Sequence, residues 1–243
     1  MKQLNINEIF DYVETNIPTF HQKRLDYVKS KVDLNKILKQ KNPYLFRAKN
    51  ILTAQDLIKG FLDAFLQSQE ETLFGQFIEG LAIYVCDKVY AAKKSKLKGI
   101  DLEFEKDNCI YIVEVKAGWN WGNASQITQL KINFKNAKKQ IQKTTKKQII
   151  AVNGCCFGKS KNPEKQGYFK YCGQQFWELI SDNGNLYIDI IEPIGHKAKQ
   201  KNEEFLIVYA QVINKLTLEF SQRFCKDGII DWKELIKFNS SKI

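Results

Sequence analysis

The chain has 243 residues, with 38 Lys and Arg against 27 Asp and Glu, so its net charge is +11. That length permits one domain with a sizeable core, and the charge favours an anionic partner, nucleic acid before any other. Two histidines cannot build an HNH-type or zinc-hydrolase cluster, no apolar run approaches the about 20 residues of a membrane span, and residues 1–8 lack the apolar core of a signal peptide.

From the N-terminus to about residue 70 the pattern is helical, through Leu4, Ile6, Ile9, Phe10 and Val13, then Leu34, Ile37 and Leu38, then Ile51, Leu57, Phe61, Leu62 and Phe65. This region could brace a core, form a dimer surface or clamp DNA. His21-Gln22-Lys23 lacks the downstream aspartate and the second copy of a phospholipase-D-like nuclease. Within Lys41 to Asn50, Asn42, Arg47 and Lys49 are candidate DNA contacts, and Tyr44, Leu45 and Phe46 are packing residues. Apolar residues at 74, 77, 78, 81 and 85 then predict an amphipathic helix with Glu79 at the edge of its apolar face. Glu79 either points into a site as a water-mediated carboxylate or makes an ordinary surface ion pair.

The basic run Lys93-Lys94-Ser95-Lys96-Leu97-Lys98 leads into Asp101, with Lys96 and Lys98 as candidate phosphate contacts. A hairpin folded about Asp107-Asn108 pairs residues whose numbers sum to a constant, placing Asp101 opposite Glu114. Alternation then puts Leu102, Phe104, Tyr111, Val113 and Val115 on a core face and Asp101, Glu114 and Lys116 on a charged one. Carboxylates opposed at roughly 5 Å repel unless a cation or proton lies between them. Mg²⁺ suits two carboxylates plus the Val115 carbonyl, and leaves room for a scissile phosphate. Lys116, about 7 Å along the strand from Glu114, could orient or deprotonate a water. The competing reading is an inert, solvated ion cluster.

After Lys116, Gly118-Trp119-Asn120-Trp121-Gly122-Asn123-Ala124-Ser125-Gln126 joins flexibility to aromatic and amide groups. Trp119 and Trp121 could stack on or wedge into DNA, or pack under the loop. Asn120 and Gln126 could read base edges, and Asn123 and Ser125 suit capping of the next helix, Asn123 also being a candidate DNA contact. That helix runs from Ala124 to about Lys143, and Gln148 to Asn153 is a buried strand ending at Gly154. Gly154-Cys155-Cys156-Phe157-Gly158-Lys159-Ser160 is one residue short of a phosphate-binding loop and reads as a turn that brings Lys159 near a DNA backbone. A zinc site of Cys155, Cys156, Cys172 and His196 would lack local ligand pairs, so buried thiols are the simpler reading. A long helix to about Phe224 and a short one at 231–235 close the chain.

These residues resemble the PD-(D/E)XK nuclease superfamily, and more closely the bacterial type II restriction endonucleases. The likeness is carried by 41–50, the helix from Glu71 to Ala82, Gly99-Ile100-Asp101-Leu102-Glu103-Phe104, residues 114–123 and Gly173 to Ser181. Ile100 stands where the superfamily's motif has proline, a residue without catalytic duty. The resemblance implies an α/β fold with a mixed central sheet flanked by helices and helix-rich N- and C-terminal additions. It implies Asp101 and Glu114 as metal ligands, Lys116 as the catalytic lysine and Glu79 as an accessory acid. It also implies a Mg²⁺-dependent, cytoplasmic homodimer cutting double-stranded DNA at a short, roughly palindromic site. A companion DNA methyltransferase, in the closest subgroup one acting on cytosine, would protect the host. One nuclease domain spanning 1–243 is expected, with helical regions 1–70 and 196–243 around a core of 71–195. The alternatives are a repair or junction-resolving nuclease on the same core, or a basic DNA-binding module without catalysis.

Overall fold

The computed structural model describes residues 2–242. In chain order it forms α1 (Ile6–Lys31), α2 (Leu34–Gln40), α3 (Pro43–Ala48), α4 (Ala54–Tyr90), β1 (Lys93–Lys94), β2 (Leu102–Lys106), β3 (Cys109–Gly118), α5 (Ala124–Ile141) and β4 (Gln148–Phe157). There follow β5 (Glu164–Lys165), β6 (Tyr168–Cys172), α6 (Gln174–Ser181), α7 (Leu186–Asp189), α8 (Ile191–Ile194), α9 (Ala198–Phe224), β7 (Cys225–Lys226), β8 (Ile229–Ile230) and α10 (Trp232–Ser240). The chain divides into two compact units, one of Met1–Ile17 and Phe74–His196, the other of Pro18–Leu73 and Lys197–Ile243. Among the described residues no helix is long and apolar enough to cross a membrane.

The first unit is a six-stranded mixed sheet in the order β1-β2-β3-β4-β6-β5, antiparallel at β1-β2, β2-β3 and β5-β6 and parallel at β3-β4 and β4-β6. Its hairpin has the register that the turn dictates. Asp107 and Asn108 both take the left-handed conformation, at φ 51° and 59°, as a tight two-residue hairpin turn requires. Leu102 consequently pairs with Val113 and Lys106 with Cys109. Leu102, Phe104, Val113 and Val115 pack against Leu81, Ala82 and Val85 of α4 and Phe176, Trp177 and Ile180 of α6.

The opposite face departs from the expectation that it carries only charge. Ile112, fully buried, packs there with Ile100, Ala151 and the α5 residues Leu130, Phe134 and Ala137. The parallel β3-β4 connection lays α5 over this face. Glu114 and Lys116 therefore stand at the end of a second apolar layer.

Two further boundaries differ from the sequence pattern. Strand β4 continues past Gly154 to Phe157, because β3 pairs with it as far as Phe157 and β6 as far as Cys155. Gly154 serves packing rather than chain reversal: a Cβ there would lie 2.2 Å from the ring of the fully buried Phe176. Gly154→Ala should therefore lower stability by about 1–3 kcal/mol through overpacking, read as a shifted denaturation midpoint at unchanged slope. An unshifted midpoint would show that Phe176 yields freely. The two helical patterns before and after residue 70 are also one continuous helix, α4, since no proline or glycine cluster interrupts them.

In the second unit, helices from both ends of the chain share one core. Leu34, Ile37 and Leu38 of α2, Phe46 of α3 and Leu57, Ile58, Phe61 and Leu62 of α4 pack with Phe205, Ile213, Leu216 and Phe220 of α9 and Leu235 of α10. Arg24 is ion-paired with Glu70, and its guanidinium lies 3.5 Å from the centroid of the Phe205 ring.

Candidate functional site

Strand β2 begins only at Leu102, opposite Val113, while β3 continues to Gly118, so β3 has backbone groups without a strand partner on that side. Asp101 takes over. Its N–H donates to the Val113 carbonyl at 2.8 Å, and its Oδ2 accepts from the Val115 N–H at 2.6 Å. The carboxylate is thereby locked across the hairpin. The Val115 side chain is buried in the core.

Glu114 and Lys116 follow on the same face of β3. Lys116 Nζ lies 2.5 Å from Glu114 Oε1, and the Glu114 side chain is 12% exposed. Its other oxygen, Oε2, is buried without a hydrogen-bond partner. Burial raises the Glu114 pKa above the usual carboxylate range; the Asp101 charge adds to that, and Lys116 opposes it. Asp101 is also raised by burial, against the Val115 N–H and the charges of Lys116 and Lys94.

Glu79 on α4 joins the same field. Burial and then the Asp101 charge raise its pKa, while Lys94 and Lys116 lower it. Lys94 Nζ lies 3.9 Å from Glu79 Oε1, an ion pair that reaches from β1 to α4. Three acids, from the residue before β2, from β3 and from α4, are thus held above their ordinary range with Asp101 repelling the other two, a cluster that a cation relieves. Among the described residues no three Asp, Glu, His or Cys side chains group closely enough to form a metal site by themselves. The donors that could hold a hard ion are the oxygens of Asp101 and Glu114, with backbone carbonyl and water to complete the shell.

The remaining candidates are spread over the chain. Lys96 and Lys98 are exposed in the segment before Asp101. Trp119 is 47% exposed and covers Gly158, where a Cβ would meet its ring at 2.2 Å; its carbonyl accepts from Lys170 Nζ at 2.7 Å. Asn120 is exposed, as is Lys159 beside the N-terminus of α6. Asn123 caps α5 and forms a capping box with Gln126, whose Oε1 accepts from the Asn123 N–H at 2.9 Å. Ser125 donates its hydroxyl to Asn123 Oδ1 instead of capping the helix. Asn42, Arg47 and Lys49 belong to the second unit, where Asn42 caps α3, Arg47 lies over Trp232 and Lys49 over Phe46.

Trp121 is half-buried, with Lys116 Nζ 4.8 Å from its ring centroid and its Nε1–H donating to Asn153 Oδ1 at 3.0 Å. Asn153, which the sequence reading does not single out, thus lies among the candidate site residues. A signal for it exists all the same: a lone amide in the apolar run Ile149 to Cys156 needs buried partners. The cysteines, by contrast, lie as buried or half-buried thiols. Burial, and Cys172 beside it, push Cys155 up to about 12, and His196 faces Glu14 at 3.5 Å. Protonated thiols of this kind are poor zinc ligands.

The family model for type II restriction endonuclease EcoO109I matches the chain over residues 7–202. A search of curated proteins gave no match.

Proposed function

Because this chain belongs to the EcoO109I family of type II restriction endonucleases, and is therefore a site-specific deoxyribonuclease, we propose that Asp101, Glu114, Lys116 and Glu79 form its catalytic centre on a PD-(D/E)XK core. The observation that carries this reading is Glu114 Oε2, buried and unpartnered in the field of the half-buried Asp101 carboxylate. Family membership sets aside the repair nuclease and the non-catalytic module.

Asp101, Glu114 and the Val115 carbonyl would hold Mg²⁺, which when bound polarises a phosphoryl oxygen and acidifies a water. The Val115 N–H fixes the Asp101 carboxylate, so one of its oxygens is oriented before any ligand arrives. Lys116 would orient or help deprotonate the nucleophilic water and offset the charge of the pentavalent transition state. Glu79 adds charge to the site through water. Lys96, Lys98, Lys159, Trp119 and Asn120 are the candidate DNA contacts of this unit; Asn42, Arg47 and Lys49 are separate candidates in the second unit.

We read residues 1–243 as one nuclease domain that works in the bacterial cytoplasm. The two strands of a roughly palindromic site are related by a twofold axis, so cutting both calls for a homodimer. A companion methyltransferase, cytosine-specific in this reading, would protect the same site in the host.

Two expected results test this proposal. Raised pKa values mean that the acids take up protons before pH falls to the ordinary carboxylate range. The single-turnover cleavage rate should therefore fall with decreasing pH more steeply than one proton allows, and extra Mg²⁺ should move the fall to lower pH. A profile indifferent to Mg²⁺ would remove the metal from the centre. DNA affinity should also drop with salt, and Lys96→Ala or Lys98→Ala should each reduce the logarithmic slope by about one. An unchanged slope would place that lysine off the DNA.

A further inference from the structure

We infer that Trp121 and Asn153 are positioning residues for Lys116, an assignment that rests on the catalytic reading of Asp101, Glu114 and Lys116. A lysine ammonium on its flexible stem is a poor general catalyst unless something fixes where it points. Next to Lys116 lies Glu114 Oε1, at 2.5 Å. That contact occupies one carboxylate oxygen and leaves Oε2 open, but it does not by itself fix the direction of the ammonium. The face of Trp121 supplies a second attraction, with Nζ 4.8 Å from the ring centroid.

The ring is itself held. Its N–H donates to Asn153 Oδ1 at 3.0 Å, and Asn153 Nδ2 donates to the Glu114 carbonyl at 3.3 Å. Asn153 sits opposite Glu114 in the parallel β3-β4 ladder and is 1% exposed. The contacts thus close a ring, from the Glu114 carboxylate through Lys116, the Trp121 indole and the Asn153 amide back to the Glu114 backbone. A buried amide in an otherwise apolar strand is costly unless it is hydrogen-bonded. Here its side-chain bonds go to the residues that aim the lysine, with Cys155 Sγ beside Oδ1 at 3.8 Å. Trp119, exposed and two residues earlier, is left as the tryptophan of this loop that can stack on DNA.

The test compares wild type, Trp121→Leu, Trp121→Phe and Lys116→Ala by three readouts. These are single-turnover cleavage at saturating DNA, DNA affinity in EDTA, and the NMR shifts of the lysine ε-methylenes. Trp121→Leu should slow cleavage about tenfold to a hundredfold at unchanged affinity. Trp121→Phe, which keeps a ring face but lacks the N–H, should lose much less. Other lysines, Lys49 over Phe46 among them, also lie over rings, so the signature is one upfield-shifted lysine resonance of wild type that is missing from both Lys116→Ala and Trp121→Leu. Lower affinity with an unchanged rate would make Trp121 a DNA contact and overturn the inference, as would wild-type behaviour in both assays. If Lys116→Ala is inactive while Trp121→Leu cuts normally, only the positioning role fails. If Lys116→Ala cuts normally, the catalytic reading fails and takes this inference with it. Should Trp121→Leu not fold, a wild-type spectrum in which no upfield-shifted lysine resonance disappears in Lys116→Ala would overturn the inference.

Discussion

Lys116→Ala should lower single-turnover cleavage by about 10³-fold to 10⁴-fold while leaving the affinity for DNA within a factor of about two. The separation follows from where the lysine lies. Its ammonium is engaged with the buried Glu114 carboxylate and the Trp121 ring, not set out among the exposed basic residues. It therefore contributes one charge of many to phosphate attraction, but the one nearest the reacting centre. Removal would leave Glu114 without its cation, raising the carboxylate's pKa further, so part of the loss should return at higher pH and higher Mg²⁺. Lys116→Arg is the informative companion. It keeps the charge but spreads it over a planar fork that cannot aim one proton in the same way, so it should bind DNA normally and cut poorly. Cleavage by Lys116→Ala at the wild-type rate, with fragment ends mapped by sequencing, would refute the assignment.

Asp101→Asn should be the second large effect, with opposite signs for function and stability. Cleavage should fall at least about 10³-fold, because a neutral amide is a weak ligand for a hard cation. Metal-free stability should instead rise. The folded-state pKa of Asp101 is raised above its unfolded value, chiefly by burial. Its favourable contribution is therefore fully present below the unfolded pKa and is lost as pH climbs through the folded one. At neutral pH the ionised group works against the fold, beside Glu114 and Glu79, which are raised in the same way. An asparagine removes that charge and keeps an oxygen for the Val115 N–H. The thermal midpoint in EDTA should thus increase by a few degrees, on the order of 2–4 °C per kcal/mol for a chain of this size, and wild type and variant should converge as pH falls. Saturating Mg²⁺ should raise the midpoint of wild type but not of the variant. A variant less stable than wild type at every pH would mean that the charged hydrogen bond to Val115 outweighs burial and repulsion.

Asp101 and Lys116 are legible in the amino-acid sequence because their relation is local. Asp107 and Asn108 both accept left-handed backbone, a two-residue turn follows, and the turn counts residues outward until Asp101 faces the Glu114 region. Strand alternation then places Glu114 and Lys116 on one face without any knowledge of the rest of the chain. The helix after the loop is similarly local, with its start marked by Asn123 and Gln126, although the pattern does not tell the cap from the Ser125 beside it.

Local sequence alone therefore specifies the hairpin, its register and the acid-acid-lysine trio, since each depends on residues fewer than about twenty positions apart, where backbone geometry settles the outcome. The other features wait on tertiary packing. It brings Glu79 and Lys94 to Asp101, carries β4 past Gly154 into a cradle for Phe176, lays α5 over Ile112, and sets Asn153 against Glu114 with Trp121 between amide and ammonium. These contacts join elements whose faces are chosen by which apolar surfaces bury together, and the burial of Glu114 that raises its pKa exists only once those faces have met.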